Sequence, residues 1–153
     1  PTELAIGTSA LVSATVDGGD IDLTLGTPLV CSYVDGTVAA LASGSCLLNA
    51  TRPGSISMKP LRLQIAINIP GNTPTLSVGL PLRLPIGRRI APSVTTTSDA
   101  TPTLKSRTPR VCVVGAAGRV RAVARGTCRI LVRLEATALY AARQELVTIR
   151  TKP

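Results

Sequence analysis

Histidine, tryptophan and phenylalanine are absent from the sequence, and tyrosine occurs only twice. Without histidine the chain lacks the commonest general base, the commonest zinc ligand and any histidine-based pH switch. With so few aromatic rings it offers no stacking platform for nucleobases or sugars. Its apolar runs also fall short of the roughly 18 residues that a membrane-spanning helix needs. The sequence therefore predicts no enzyme, no cofactor, no metal site and no membrane span.

What the sequence does contain is aliphatic. Hydrophobic residues make up 44% of the 153 residues, which is enough for a folded core and excludes a disordered chain. The length suits one ordinary domain or two small ones. The chain begins at Pro1 without an initiator methionine, so we expect a processed or excised segment whose leader could have been lost.

The four cysteines fall into two pairs with similar spacing. Cys31 and Cys46 are 15 residues apart, and Cys112 and Cys128 are 16 apart. The sequence has no C-x-x-C motif, which argues against a zinc knuckle or a thioredoxin-type site. An even count at repeated spacing predicts disulfides formed outside the cytosol, with three possible connectivities. Buried free thiols in a cytosolic protein are the alternative.

An internal repeat in the sequence helps to choose between these cysteine pairings. The sequence T-P-L-V-C at residues 27–31 returns as T-P-R-V-C at residues 108–112. A second block at residues 36–46, G-T-V-A-A-L-A-S-G-S-C, returns at residues 118–128 as G-R-V-R-A-V-A-R-G-T-C. Such self-similarity indicates duplicated structural units.

The repeat predicts two homologous domains, residues 1–69 and residues 70–153. It favours one structural disulfide within each domain, Cys31–Cys46 and Cys112–Cys128. A domain of about 70 residues is marginal on burial alone, and closing a loop of about 15 residues adds about 3 kcal/mol.

The local pattern within each copy is that of β-strands. Residues 61–69 alternate apolar and polar side chains, as in a strand with one buried face, and residues 145–151 end the second copy in the same way. Glycine and proline turns recur every eight to twelve residues, which is typical of antiparallel sandwiches. The alanine-rich stretch at residues 135–144 is predicted as a loop with at most one helical turn.

These motifs resemble the bacterial immunoglobulin-like repeats, which occur in tandem in large secreted and surface-anchored proteins. The resemblance rests on T-P-x-V-C followed by G-x-V-x-A-L/V-A-x-G-T/S-C, and on A-L-Y-A-A at residues 138–142. It implies an all-β fold of two tandem immunoglobulin-like antiparallel β-sandwiches. It also implies an extracellular or bacterial cell-surface location. The family serves as spacers, stalks, adhesins and filament subunits, so the resemblance specifies the fold far better than the activity.

The two halves of the sequence differ in net charge. Residues 1–69 carry three basic and five acidic residues, a net charge of −2, whereas residues 70–153 carry fourteen basic and three acidic, a net charge of +11. Together these give the formal charge of +9. Twelve of the fourteen cations are arginine, which suits bidentate pairing with carboxylate or phosphate.

The candidate site residues follow from this division. Arg119 and Arg121 share a face of one predicted strand, and Arg129 and Arg133 share a face of the next, so a hairpin through residues 125–127 could join all four into one ladder. The acidic candidates of the first half are Asp17, Asp20, Asp22 and Asp35. The first three of these are interpreted as a solvated turn rather than a calcium site, because no bidentate acid stands at the twelfth position.

Two functions compete with the view that these arginines form only a solvated face. In the first, the basic domain of one copy docks on the acidic domain of the next, or the chain joins neighbouring domains of a longer surface protein, and a filament, stalk or adhesin is built. In the alternative, the arginine face binds an anionic polymer such as teichoic acid, lipopolysaccharide, acidic polysaccharide or DNA. Sequence-specific nucleic-acid recognition is not expected, because no recognition helix, zinc finger or aromatic sheet motif is present.

Overall fold

A computed structural model describes residues 1–14 and 21–153 of the chain. These residues form strands and no helix. They divide into two compact units, Pro1–Asn72 and Thr73–Pro153. The charges of the two units are the same as those of the predicted halves, because residues 70–72 are uncharged.

The first unit consists of two three-stranded sheets. Its strands are β1 (Ser9–Leu11), β2 (Asp22–Leu25), β3 (Cys31–Val34), β4 (Thr37–Ala40), β5 (Gly44–Arg52) and β6 (Leu61–Ile69). One sheet has the order β2-β5-β6 and the other β1-β4-β3, and all neighbours are antiparallel. β6 covers the alternating run predicted from the sequence.

The second unit repeats this plan and adds to it. Its strands are β7 (Leu76–Gly79), β8 (Arg83–Pro85), β9 (Arg89–Ile90), β10 (Ser93–Thr96), β11 (Thr103–Ser106), β12 (Cys112–Val114), β13 (Val120–Ala122), β14 (Gly126–Leu134) and β15 (Arg143–Lys152). The sheets have the orders β11-β14-β15-β8, β12-β13-β9 and β10-β7. The β8–β15 pair is parallel, and every other pair of strands in this unit is antiparallel.

One disulfide joins the two main sheets in each unit. Cys31 of β3 is bonded to Cys46 of β5, and Cys112 of β12 is bonded to Cys128 of β14. The Cα–Cα distances are 5.7 and 5.6 Å, and all four residues are fully buried. The predicted fold class is confirmed: the chain is all-β, with two immunoglobulin-like sandwiches and one disulfide within each.

Each core is aliphatic and forms around its disulfide. In the first unit the buried cluster includes Val38, Leu48 and Ile67, and in the second it includes Val120, Ile130 and Ile149. These residues alternate with partly or fully exposed ones along their strands, so each sheet turns one face inward. The missing aromatic rings are thus replaced by closely spaced Leu, Ile and Val side chains from two facing sheets.

The T-P-x-V-C sequence forms the same crossing turn in both units. The turn leads from β2 to β3 in the first unit and from β11 to β12 in the second, and in both cases the chain passes from one sheet to the other. The Thr27 hydroxyl accepts a hydrogen bond from the backbone N–H of Leu47 at 2.9 Å. The Thr108 hydroxyl does the same for Arg129 at 2.9 Å. The threonine therefore fixes the turn to the central strand that also carries the second cysteine.

A glycine completes this junction in each unit. Gly44 and Gly126 begin the central strands with φ values of 143° and 152°, which L side chains rarely adopt. A Cβ atom on Gly126 would lie 3.1 Å from Cγ2 of Val111, and one on Gly44 would lie 3.3 Å from Cγ2 of Val30. The valine of the crossing turn therefore packs against the glycine.

Two turns show how the copies diverge. In the first unit β3 and β4 are joined by Asp35 and Gly36, with φ values of 47° and 78°. Positive φ at both positions is the geometry of a type I′ hairpin, which Asp-Gly favours. In the second unit the corresponding connection is longer, and the N–H of Gly115 donates to the carbonyl of Arg119 at 2.8 Å.

Residues 135–142 contain no helix and form the predicted loop between β14 and β15. The hydroxyl of Thr137 accepts hydrogen bonds from the N–H groups of Leu139 and Tyr140. These hydrogen bonds form a local turn within the loop.

Removing one disulfide should destabilise its unit strongly. For Cys112→Ala/Cys128→Ala we expect the free energy of unfolding to fall by about 3 kcal/mol, because the unfolded chain regains the entropy of a 16-residue loop. Urea denaturation followed by circular dichroism measures this. The control is Thr148→Ala at an exposed position of β15, where a change within about 0.5 kcal/mol is expected. An unchanged denaturation profile in the double variant would contradict the structural role of the bond.

A methyl group on the junction glycine should also be costly. Gly126→Ala is expected to lower the free energy of unfolding by about 1–3 kcal/mol, through backbone strain and contact with Val111. Gly115→Ala is the matched control, because Gly115 lacks a positive φ and its nearest neighbouring atom would lie at 3.7 Å. Equal effects of the two substitutions in a thermal unfolding experiment would show that the junction is not strained.

Candidate functional site

The four arginines predicted as a site all point outward from the second unit. Arg121 lies in β13 between the buried Val120 and Ala122, and Arg119 lies just before that strand. Arg129 and Arg133 are exposed positions of β14. The exposed faces inferred from the sequence alternation are thus those that the structure has.

The predicted ladder through residues 125–127 does not form. β13 and β14 belong to different sheets, so Arg121 and Arg129 lie on the outer faces of opposite sides of the sandwich. The connection bends away because the N–H groups of Val123 and Ala124 both donate to the carbonyl of Val111, before the chain crosses at Gly126. The structure keeps Arg119 with Arg121, and Arg129 with Arg133, but it separates the two pairs.

The structure places a third arginine, Arg89, beside Arg119 and Arg121, and the sequence did not indicate it. Arg89 of β9 lies directly opposite Arg121 in the ladder. The three guanidinium groups border an open hollow of about 360 Å³, with Val113 and residues 115–117 as its apolar wall. We call this the three-arginine hollow. Arg89 was missed because its pairing joins residues 32 positions apart.

A larger basic surface covers the outer face of the four-stranded sheet. Its cations are Arg83 of β8, Lys105 of β11, Arg129 and Arg133 of β14, and Arg150 and Lys152 of β15. All six are exposed. We call this surface the six-cation face. Alternation could have indicated Arg150 and Lys152 on β15, whereas Arg83 is placed by a parallel pairing that no local pattern reveals.

Cations lie directly opposite one another in two ladders of the second unit. Arg83 pairs with Arg150 across the parallel ladder, and Arg89 pairs with Arg121 across the antiparallel one. Like charges directly opposite in a sheet are destabilising. Within residues 73–153, all of which the structure describes, the one ion pair joins Arg133 Nε to Glu135 Oε1 at 2.9 Å. The unit therefore presents a dense positive surface that its own acids do not neutralise.

The acidic candidates of the first unit are described only in part. Asp22 begins β2 and is exposed, and Asp35 occupies the tip of the β3–β4 hairpin. Both lie towards the end of the sandwich remote from the disulfide, because β3 and β5 run away from their cysteines. Asp17 and Asp20 lie outside the described residues. Among residues 1–14 and 21–153 no group of acids, cysteines or histidines could hold a metal ion.

An open hollow of the first unit is lined by both polar and apolar residues. It measures about 800 Å³ and lies along the ends of β5 and β6, where its polar lining includes Asp22, Asn49, Arg62 and Gln64. The amide of Gln64 donates to Oδ1 of Asn49 at 3.1 Å. These groups can hydrogen-bond a surface ligand.

Thr151 is the only polar residue that is buried as a whole in the part of the chain that the structure describes. Thr151 has 4% exposure, and its hydroxyl lies within hydrogen-bonding distance of the carbonyls of Ala124 (2.6 Å) and Gly126 (3.1 Å). These contacts fasten the end of β15 to the glycine junction.

No helix long and apolar enough to cross a membrane occurs among the residues that the structure describes.

No protein-family model and no curated protein sequence matches this chain. Among solved structures, domains 4 and 5 of the S-layer protein SbsC are 15% identical over 93% of this chain and 75% of that fragment, with a TM-score of 0.44. A C-terminal fragment of intimin, solved with the intimin-binding domain of its translocated receptor, is 17% identical over 86% of this chain and 51% of the fragment (TM-score 0.40).

Extracellular domains 3–5 of Drosophila OTK are 13% identical over 99% of this chain and 59% of that one, with a TM-score of 0.47. The chain spans about a fifth of the longer SbsC structure, residues 31–844. At these identities and TM-scores no activity or partner of those proteins carries over to this chain.

The opposed cations give a direct test of the surface electrostatics. Arg83→Gln should raise the free energy of unfolding by a few tenths to about 1 kcal/mol at low salt, because it removes the repulsion with Arg150. The gain should disappear at about 1 M salt, where the Debye length is about 3 Å. Arg133→Gln is the control, since its guanidinium is paired with Glu135 and no gain is expected. A loss of stability in Arg83→Gln at every salt concentration would contradict the repulsion.

Proposed function

We propose that this chain is a non-enzymatic structural protein of the bacterial cell surface. It acts as a subunit or segment of a filament, stalk or adhesin whose copies associate head to tail. The observation that carries the proposal is the duplicated sandwich, in which each copy has its two sheets joined by a buried disulfide at the same junction. Two disulfides and no free cysteine suit an oxidising, extracellular location.

The junction of threonine, cystine and glycine occurs in both units and supports a structural role in which the chain must resist unfolding. In both units the threonine hydroxyl, the cystine and the strand-initial glycine meet at the same central strand. The crossing turn is thereby fixed by a covalent bond and by hydrogen bonds to the sheet it has just left. A domain that must stay folded without chaperones and in the presence of proteases benefits from such a constraint on its unfolded state.

The charge division supports association between copies. The first unit has a net charge of −2 and the second of +11, so unlike units attract and like units repel. An interface between the first unit of one copy and the second unit of another is heterologous, and it propagates unless the rotation closes a ring. Large apolar side chains are also exposed in both units, among them Leu11, Leu29 and Leu82 at 79%, 87% and 87%. Apolar surface covered by an assembly is consistent with the proposal.

The assembly is tested by electron microscopy and light scattering of the pure protein across a salt series. We expect fibres or growing oligomers at low salt, which dissociate as the Debye length falls from about 30 Å at 0.01 M to about 3 Å at 1 M. A single copy under all conditions, at concentrations up to the solubility limit, would overturn the proposal.

Two charge-matched variants show whether the acids of the first unit direct the assembly. Asp22→Asn/Asp35→Asn should reduce the low-salt scattering strongly, because it removes two of the five acids of that unit. Asp99→Asn/Glu145→Gln raises the net charge equally but alters the second unit and keeps the Arg133–Glu135 ion pair, so it should leave assembly almost unchanged. Equal behaviour of the two variants would show that only total charge matters.

A further inference from the structure

The positive charge on the six-cation face is dense enough to indicate a binding surface rather than residues that only keep the protein soluble. Six exposed cations lie on one outer sheet face, and only Arg133 has an ion-pair partner within the unit. The Arg83–Arg150 opposition destabilises the isolated fold. A ligand with several negative charges would relieve that repulsion and release its own counterions.

The geometry of the face suits an extended ligand. Outward-facing residues on one strand repeat about every 7 Å, and neighbouring strands are about 4.8 Å apart. From Lys152 to Gln144 the outward positions of β15 extend over about 27 Å, with Arg129 and Arg133 alongside on β14. The positive charges thus form a long band rather than a pocket, which favours a linear polymer over a small anion.

The chemistry of the face favours phosphate groups. Four of the six cations are arginine, whose planar guanidinium pairs bidentately with phosphate oxygens. No aromatic side chain lies on the face, so sugar rings and nucleobases have nothing to stack on. The centre is a cross-strand pair of leucines, Leu131 and Leu146, which can contact the carbon backbone between charges.

The first unit provides an internal comparison. Its corresponding sheet, β2-β5-β6, has Leu47 where the second unit has Arg129, and Asn68 where the second has Arg150. The bridge from Glu3 to Asn68 occupies the place of the Arg83–Arg150 pair. The same sheet therefore forms without these cations, and their presence in one copy alone calls for a role specific to that surface.

We propose that the six-cation face binds a linear phosphodiester polymer of the cell surface, with one negative charge in each short repeating unit. The polymer lies along β14 and β15 and is held by Arg83, Arg129 and Arg150, with Lys105, Arg133 and Lys152 at the margins. Binding does not depend on assembly between copies, because it uses one face of one unit.

The test is calorimetric titration of the full chain with poly(glycerol phosphate), at a protein concentration where light scattering shows single copies. The variant is Arg83→Gln/Arg129→Gln/Arg150→Gln. We expect its affinity to fall by at least about tenfold, and the slope of log K against log salt to decrease in magnitude by about 2, since each phosphate contact on a single-stranded polyanion contributes about 0.7.

The matched control is Arg89→Gln/Arg119→Gln/Arg121→Gln, which removes the same charge from the three-arginine hollow on the other sheet. Its affinity should fall less than about threefold, through long-range electrostatics alone. Circular dichroism and urea denaturation establish that both variants are folded. Equal losses in the two variants would overturn the proposal, because net charge would then explain binding.

Two further ligands distinguish the chemistry. Polygalacturonate has carboxylates on sugar rings, and vesicles of phosphatidylglycerol present phosphates on a lipid surface. We expect both to bind more weakly than poly(glycerol phosphate) and with little difference between the two variants. Tighter binding of either one, or no binding of the phosphate polymer at low salt, would overturn the assignment.

Discussion

The covalent bond between the two sheets is the constraint on which each unit depends. Neither unit has an aromatic residue among the fully buried residues of its core, so each sandwich is closed mainly with Leu, Ile, Val, Ala and cystine, and Tyr33 packs against the first core from its margin. The disulfide lies at the T-P-x-V-C crossing between the two main sheets, and the Thr hydroxyl and the positive-φ glycine meet it there. The crossing is thus fixed by a covalent bond, and the strand alternation determines which side chains face the core.

The sequence was sufficient to predict the disulfides and the buried faces of strands, but not how the charged residues are arranged on the surface. The duplicated T-P-x-V-C and G…C blocks led to the correct disulfide pairing, and the alternation at residues 61–69 gave β6. Alternation also identified the exposed side of β14, but it could not identify which sheet a strand joins. The predicted arginine ladder was wrong for that reason: a three-residue connection between β13 and β14 looks like a hairpin, whereas its hydrogen bonds to Val111 carry the chain across the sandwich.

The residues missing from the sequence-based site are those placed by distant pairing. Arg83 meets Arg150 through a parallel ladder that joins positions 67 residues apart, and Arg89 meets Arg121 through a two-residue strand. Neither strand is long enough to show a periodic pattern. Comparison of the two units exposes the same division: buried positions such as Cys46 and Cys128 agree, while outward positions differ in charge. Duplication thus preserved a scaffold and left its faces free to acquire separate chemistry.

The position of the cystines has a mechanical consequence for a chain under tension. When the chain is pulled, each disulfide carries the force directly from one cysteine to the other. Residues 32–45 and 113–127 are therefore not stretched while the bonds are intact. At about 3.4 Å per residue, some 50 Å of contour length is withheld from stretching in each unit. A chain pulled to its limit would therefore be shorter by that length in each unit, and the bond would keep the two main sheets of the unit attached to each other.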